Sequence, residues 1–142
     1  MLLNIVIAAI LFIATTAIHA VGMMLSLNIS QRYRSEMNKH PRLTRILRVS
    51  GIVLLMFFVS VVEVLIWAIT YLALNAIQGL EQALYFSMVT FTTLGYGDVV
   101  LTEQWRLLSS FEAANGIIMF GWSIAIVVTV VQRFYFGEKH AG

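Results

Sequence analysis

The sequence contains no cysteine and a single proline, and only 11% of its 142 residues are charged. Without cysteine, disulfides and thiolate chemistry are excluded. The hydrophobic share is 60% and the mean hydropathy is +0.88, so a soluble domain of this composition could not cover its surface with polar groups. No nucleophile with a nearby base and no cluster of metal ligands stands out, which argues against an enzyme. The composition therefore predicts a membrane protein, and the segments described next make the predicted fold class all-α.

Three apolar segments are long enough to cross a bilayer. They cover residues 2–27, 51–74 and 107–131, and each exceeds the roughly 20 residues that span the hydrocarbon core. The second is interrupted only by Glu63 and the third only by Glu112. A fourth stretch, residues 80–91, is too short to cross, and its length suits a re-entrant helix.

A cleaved signal peptide ending at Ala20 is the alternative for the first segment. It is disfavoured because no Lys or Arg precedes the apolar core and because the apolar run continues to Leu27. Cleavage would also leave the basic stretch 32–48 on the translocated side, against the positive-inside rule.

The basic residues are concentrated between the first two apolar segments. Six of the nine lie there: Arg32, Arg34, Lys39, Arg42, Arg45 and Arg48. The positive-inside rule therefore predicts a cytoplasmic linker and carboxyl tail, with the amino terminus outside. Pro41 fits the first turn of a helix, which favours an interfacial helix among anionic headgroups. A basic topology determinant without a role in gating is the alternative.

Residues 92–98 read Thr-Thr-Leu-Gly-Tyr-Gly-Asp and lie between the short helix and the last apolar segment. In a soluble chain an ordinary tight turn would explain them. At membrane depth, however, irregular backbone is tolerated only where it is buried in protein or lines a water-filled cavity. The string resembles the selectivity-filter signature of potassium channels, whose backbone carbonyls replace the hydration shell of the ion. The resemblance covers roughly residues 50–133.

This resemblance implies a potassium-selective channel that assembles as a homotetramer, because one copy of the signature cannot close a ring. It divides the chain into an extra transmembrane helix (1–27), a basic linker (28–49), the pore module (50–133) and a tail (134–142). Within the module it implies an outer helix (51–74), a pore helix (80–92), a filter (93–97) and an inner helix (107–131). Lipid, permeant potassium and further copies of the chain are the expected partners, with no cofactor and no nucleic acid.

Individual filter residues receive roles from the same resemblance. Carbonyls of the filter are expected to bind potassium, with Gly95 and Gly97 at positive φ. The Tyr96 ring is expected to pack behind the filter near the pore helix, and Asp98 to concentrate cations at the outer mouth. In some relatives a pore-helix carboxylate pairs with that acid, but the matching position here is Val89, so the brace is expected to be missing. The expected potassium-binding residues are Thr93, Leu94, Gly95 and Tyr96, completed by Gly97 and supported by Thr92, Asp98, Tyr85 and Phe86.

In the last segment, Gly116 and Gly121 match glycines that recur in inner helices of the family. For Gly116, a hinge and a close helix contact are both open. The same register predicts a cavity lined by apolar side chains, which would allow a gate that closes by dewetting. Lipid contact or packing is the alternative for these residues, which are Ile117, Phe120, Ile124 and Val128.

Polar groups inside the spans need partners, because a charge at the bilayer centre costs about 2.5 to 3.5 kcal/mol on insertion scales. His19 and Glu63 lie at comparable depths, which predicts a contact between them. Glu112 and Asn115 are expected to brace the pore helix. For these groups a structural hydrogen bond is favoured over a proton sensor. The aromatic residues Trp67, Tyr71 and Trp105 are expected to be interface anchors.

Several features bear on regulation. The first segment has no arginine, so steep voltage gating has no source of energy. Only eleven residues follow Val131, which predicts no cytosolic ligand-binding domain. The first segment is expected either to shield the outer helix from lipid or to dock a partner. Small size suggests a bacterial inner membrane.

Two other functions stay open, a weakly selective cation channel and a non-conducting subunit that modifies another channel. A transporter built from several filter-like repeats is disfavoured by the single copy.

Overall fold

The structure, a computed structural model, describes residues 1–32 and 42–135. These residues form four helices and no strand: α1 (Leu2–Arg32), α2 (Arg42–Ala73), α3 (Leu80–Phe91) and α4 (Arg106–Tyr135). Three of the helices, α1, α2 and α4, are long and apolar enough to cross a membrane. The basic stretch from Arg42 onward and the second apolar segment form one continuous helix. The rest of the linker (33–41) and the tail (136–142) lie outside the described residues.

Helix α1 is organised with its polar side inward. Its buried residues recur every three or four positions, and all but Leu11 are small or polar, whereas Ile10 and Ile13 are 61% and 70% exposed. This pattern is typical of a membrane helix, because lipid solvates aliphatic side chains and small or polar ones are packed against neighbouring helices. The buried residues are Asn4, Ala8, Leu11, Thr15, His19, Gly22, Ser26 and Ser30.

Helix α1 packs against both α2 and α4. Ser26 Oγ lies 3.4 Å from Met56 Sδ, and a Cβ added to Gly22 would come within 2.6 Å of Val59. Gly22 on α1 thus meets Val59 on α2, and the later Ser26 meets the earlier Met56, so α1 and α2 are antiparallel. The side-chain amide of Asn4 donates to the carbonyl of Gln104 at 2.7 Å, at the start of α4, so α1 and α4 begin at the same end. The first helix is therefore an integral part of the helix bundle.

Two aromatic residues of α2 and one before α4 occupy the interior, so their prediction as interface anchors is wrong. Trp67 and Tyr71 are fully buried and Trp105 is 8% exposed. Trp67 and Tyr71 belong to a hydrophobic core that also contains buried residues of α1, α3 and α4. The Tyr71 ring packs edge-on against Phe86 with a centroid distance of 5.2 Å.

Gly116 allows α4 to approach the end of α3. It is buried, and an added Cβ would overlap the carbonyl oxygen of Phe91. Helix α4 runs without interruption through this position. The geometry thus supports the close-packing interpretation of Gly116, while a Cβ at Gly121 would meet open space.

We expect Gly116→Ala to destabilise the protein by about 1–3 kcal/mol, because the added methyl group has no room and must push α3 and α4 apart. Gly121→Ala is the matched control and should leave the stability unchanged. Thermal denaturation of both variants in the same detergent measures this difference. Equal stability of the two variants would contradict the packing role.

Candidate functional site

Helix α3 leads directly into the signature loop, which we define as residues 92–98. The helix ends at Phe91, where the Thr92 N–H and hydroxyl both donate to the carbonyl of Met88, at 3.1 and 2.7 Å. The carbonyl end of a helix carries partial negative charge. The loop therefore starts at a helix end that favours cations.

The backbone of the signature loop alternates in the sign of φ. Thr93, Gly95 and Gly97 have φ of 60°, 56° and 77°, whereas the intervening Leu94 and Tyr96 do not have positive φ. The predicted positive φ of Gly95 and Gly97 is confirmed. Thr93 was not foreseen, because a β-branched residue is strained in this region and nothing in its sequence position marks it.

Backbone amides of the loop point back toward α3. The Thr93 N–H donates to Thr90 O at 2.9 Å, and those of Leu94 and Gly95 donate to Val89 O at 2.9 and 3.3 Å. In a planar trans peptide the C=O points opposite to the N–H. The carbonyls of residues 92–94, which belong to these three peptide units, consequently point away from α3.

All residues of the signature loop are exposed in the single chain. The Tyr96 ring is 66% exposed, so the expectation that it packs behind the loop with Phe86 is not met within one chain. Phe86 lies on the side of α3 that faces α2, where it contacts Tyr71. Tyr85, one position earlier, is the residue that turns toward the loop.

Asp98 is held by a hydrogen bond from α3. The Tyr85 hydroxyl donates to Asp98 Oδ2 at 2.6 Å. This bond lowers the pKa of Asp98 and raises the pKa of Tyr85. Valine at position 89 has no carboxylate to pair with Asp98. The partner of Asp98 is instead Tyr85, which lies one helical turn before Val89 on α3. The signal for it was a tyrosine four residues before Val89.

Glu112 on α4 connects three helices, because its carboxyl group contacts side chains of both α2 and α3. Its Oε2 accepts from the Tyr71 hydroxyl at 2.7 Å, and its Oε1 lies 2.5 Å from Ser87 Oγ on α3. Ser87 Oγ also lies 2.9 Å from the carbonyl of Val64. A serine has one hydroxyl proton, so Ser87 can donate fully to only one of these two oxygens at a time. Glu112 thus contacts α3 as expected.

Asn115 does not brace α3, contrary to expectation. Its Nδ2 donates to Thr15 Oγ1 on α1 at 2.8 Å, because α1 covers this side of α4. The predicted contact between His19 and Glu63 is present, with Nδ1 and Oε1 2.9 Å apart and both side chains fully buried. His19 Nε2 also lies 3.3 Å from Ser123 Oγ, a partner that sequence reasoning missed, although a serine in an apolar helix was a visible signal.

Three of the four predicted cavity residues are exposed on the same side of α4. Ile117, Ile124 and Val128 are 61%, 63% and 47% exposed. Phe120 differs, because its ring is partly buried and packs edge-on against Phe91 with centroids 5.6 Å apart.

A protein family described as "Ion channel" matches residues 57–133, which is more than half of the chain. The match contains the end of α2 that carries Glu63 and Tyr71, all of α3, the signature loop and α4 up to Arg133. The chain therefore belongs to this family of ion channels. Searches of the curated proteins and of the solved structures gave no match.

We expect Tyr85→Phe to raise the pKa of Asp98, because the hydrogen bond that stabilises its carboxylate is lost. The folded-state pKa of Asp98 is lowered, so this bond contributes stability at neutral pH that is lost as the pH falls through that pKa. A carbon NMR titration of the Asp98 carboxyl measures the shift. Tyr96→Phe keeps the bond and is the control, and an Asp98 titration that is identical in all three proteins would rule out the bond.

We expect Glu112→Leu to destabilise the protein by about 1–3 kcal/mol, because the buried Tyr71 hydroxyl loses its acceptor. Glu112→Gln should be tolerated, since its amide can donate to Ser87 while its oxygen accepts from Tyr71. Denaturation midpoints of the two variants in one detergent provide the measurement. Equal destabilisation by leucine and glutamine would show that Glu112 is required as a carboxylate.

Proposed function

We propose that the protein is a potassium-selective channel that conducts K⁺ passively through a ring of signature loops in a homotetramer. The orientation of the loop backbone carries this proposal. The amides that bond back to α3 leave the carbonyls of Thr92, Thr93 and Leu94 pointing to an exposed side. Potassium would exchange its hydration shell for such oxygens, with Thr93, Leu94, Gly95 and Tyr96 supplying the ligands.

Exposure of the loop supports a symmetric assembly. A single chain leaves Leu94 and Tyr96 more than half exposed, at a position between apolar segments where irregular backbone needs protein or a water-filled pore beside it. Four copies around one axis would provide both, since each loop would face the axis with its carbonyls. The exposed apolar side of α4 at Ile117, Ile124 and Val128 would line the inner cavity.

Charge supports an orientation with the signature loop outside. Arg42, Arg45 and Arg48 lie in the first two turns of α2, at the opposite end of that helix from Tyr71, and the positive-inside rule assigns that end to the cytoplasm. Asp98, which accepts a hydrogen bond from Tyr85, would then attract cations at the outer mouth. Lipid surrounds the assembly, in an inner membrane of bacterial type.

Ion flux through purified protein in liposomes tests the proposal. We expect a potassium flux that is much larger than the sodium flux, and we expect Gly97→Ala to abolish or strongly reduce it, because φ of +77° strains a residue with a side chain. Gly79→Ala is the matched control. Gly79 has φ of +91° at the start of α3, so it carries similar backbone strain outside the loop.

Each outcome separates the candidate functions. Equal sodium and potassium flux would indicate a weakly selective cation channel. No flux from folded, assembled protein would indicate a non-conducting subunit. An equal loss of flux in the Gly79 and Gly97 variants would show that the effect is not specific to the signature loop, which would contradict its role in conduction.

A further inference from the structure

We propose that α1 holds α4 back from the pore axis through a buried polar latch, so that the latch favours the conducting state. The α1–α4 latch consists of Thr15 and His19 on α1 and of Asn115 and Ser123 on α4. This inference rests on the proposed function and adds a regulatory role for the first helix, all of which precedes the match to the ion channel family.

The outer contact of the latch joins two fully buried residues. Asn115 Nδ2 donates to Thr15 Oγ1 at 2.8 Å, and the Thr15 hydroxyl in turn donates to the carbonyl of Leu11 at 2.9 Å. Both partners are shielded from water, so separating α1 from α4 here would leave the Asn115 Nδ2 donor without its acceptor. Such a loss is costly in a medium that offers no hydrogen bonds.

The inner contact lies two helical turns further along α4. His19 Nε2 is 3.3 Å from Ser123 Oγ, and the imidazole ring also contacts Trp122 with centroids 6.1 Å apart. The Nδ1 of the same ring is bound to Glu63, so His19 is anchored to α2. The latch therefore ties α4 to a pair of helices.

On α4, Asn115 lies opposite the exposed apolar residues, and Ser123 lies on the flank between them. Asn115 and Ile117 are two positions apart, which is about 200° around an α-helix. Ser123 precedes the exposed Ile124 by one position, about 100°. Under the proposed function Ile117 and Ile124 face the pore axis, so the latch pulls α4 away from that axis. Without it, the apolar sides of four α4 helices can approach one another and close the pore by dewetting.

Paired hydroxyl deletions test the latch. We expect Thr15→Val to lower potassium flux about fivefold, because the loss of one typical hydrogen bond shifts the equilibrium between the open and closed states by about that factor. Thr16→Val is the matched control, because the neighbouring Thr16 hydroxyl is buried and has no hydrogen-bond partner among the described residues. We expect Ser123→Ala to reduce flux similarly and Ser123→Thr to restore it. Unchanged or increased flux in Thr15→Val and Ser123→Ala would overturn the proposal, as would an equal loss in Thr16→Val.

A second measurement does not depend on conduction. The protein has no cysteine, so Ile124→Cys provides a single thiol on the exposed side of α4. We expect Ser123→Ala to slow its reaction with a water-soluble thiol reagent about fivefold, as that side closes. If wild-type protein does not conduct but this reaction slows, the latch stands and the proposed function fails. A rate unaffected by Ser123→Ala, or no reaction in any variant, rejects the latch whatever the flux.

Discussion

Polar groups inside the hydrocarbon core have no water to bind, and this constraint organises the packing of the helices. Tyr71 binds Glu112, His19 binds Glu63 and Asn115 binds Thr15, so each of the three transmembrane helices carries polar side chains that require a neighbour. The same rule applies to the backbone of the signature loop. The amides of residues 92–95 bond back to the end of α3, and the carbonyls of residues 92–94 are left to face another surface.

These contacts together determine where the loop lies. Glu112 ties α4 to Ser87 and to Tyr71, which sets the position of α3 against the other helices. Gly116 allows α4 to approach Phe91 where α3 ends, and Tyr85 then holds Asp98 at the far end of the loop. A signature loop fixed at both ends can present its carbonyls with little freedom. Under the proposed function, such a loop would hold its oxygens ready to replace the hydration shell of an ion.

Much of the fold followed from segment length and from a few residue types. The three spans and the short helix follow from apolar runs, Gly95 and Gly97 from their conformational freedom, and the His19–Glu63 pair from equal depth. Sequence reasoning failed where the direction of a side chain mattered. In a membrane an apolar side chain suits both lipid and the protein interior, so the sequence does not reveal that Trp67 and Tyr71 turn inward or that Asn115 faces α1 and not α3. The strain at Thr93 arises from its bonds to α3, which no local pattern encodes.

The central claim is that main-chain oxygens from four identical loops surround a common axis and bind dehydrated potassium. An experimental structure of the assembled protein in thallium or rubidium, with the anomalous signal of the ion, tests it most directly. The account requires a single file of ion peaks on the symmetry axis, each between rings of carbonyl oxygens from residues 93–96. Loop carbonyls that share no axis, or ion peaks located elsewhere, would contradict it.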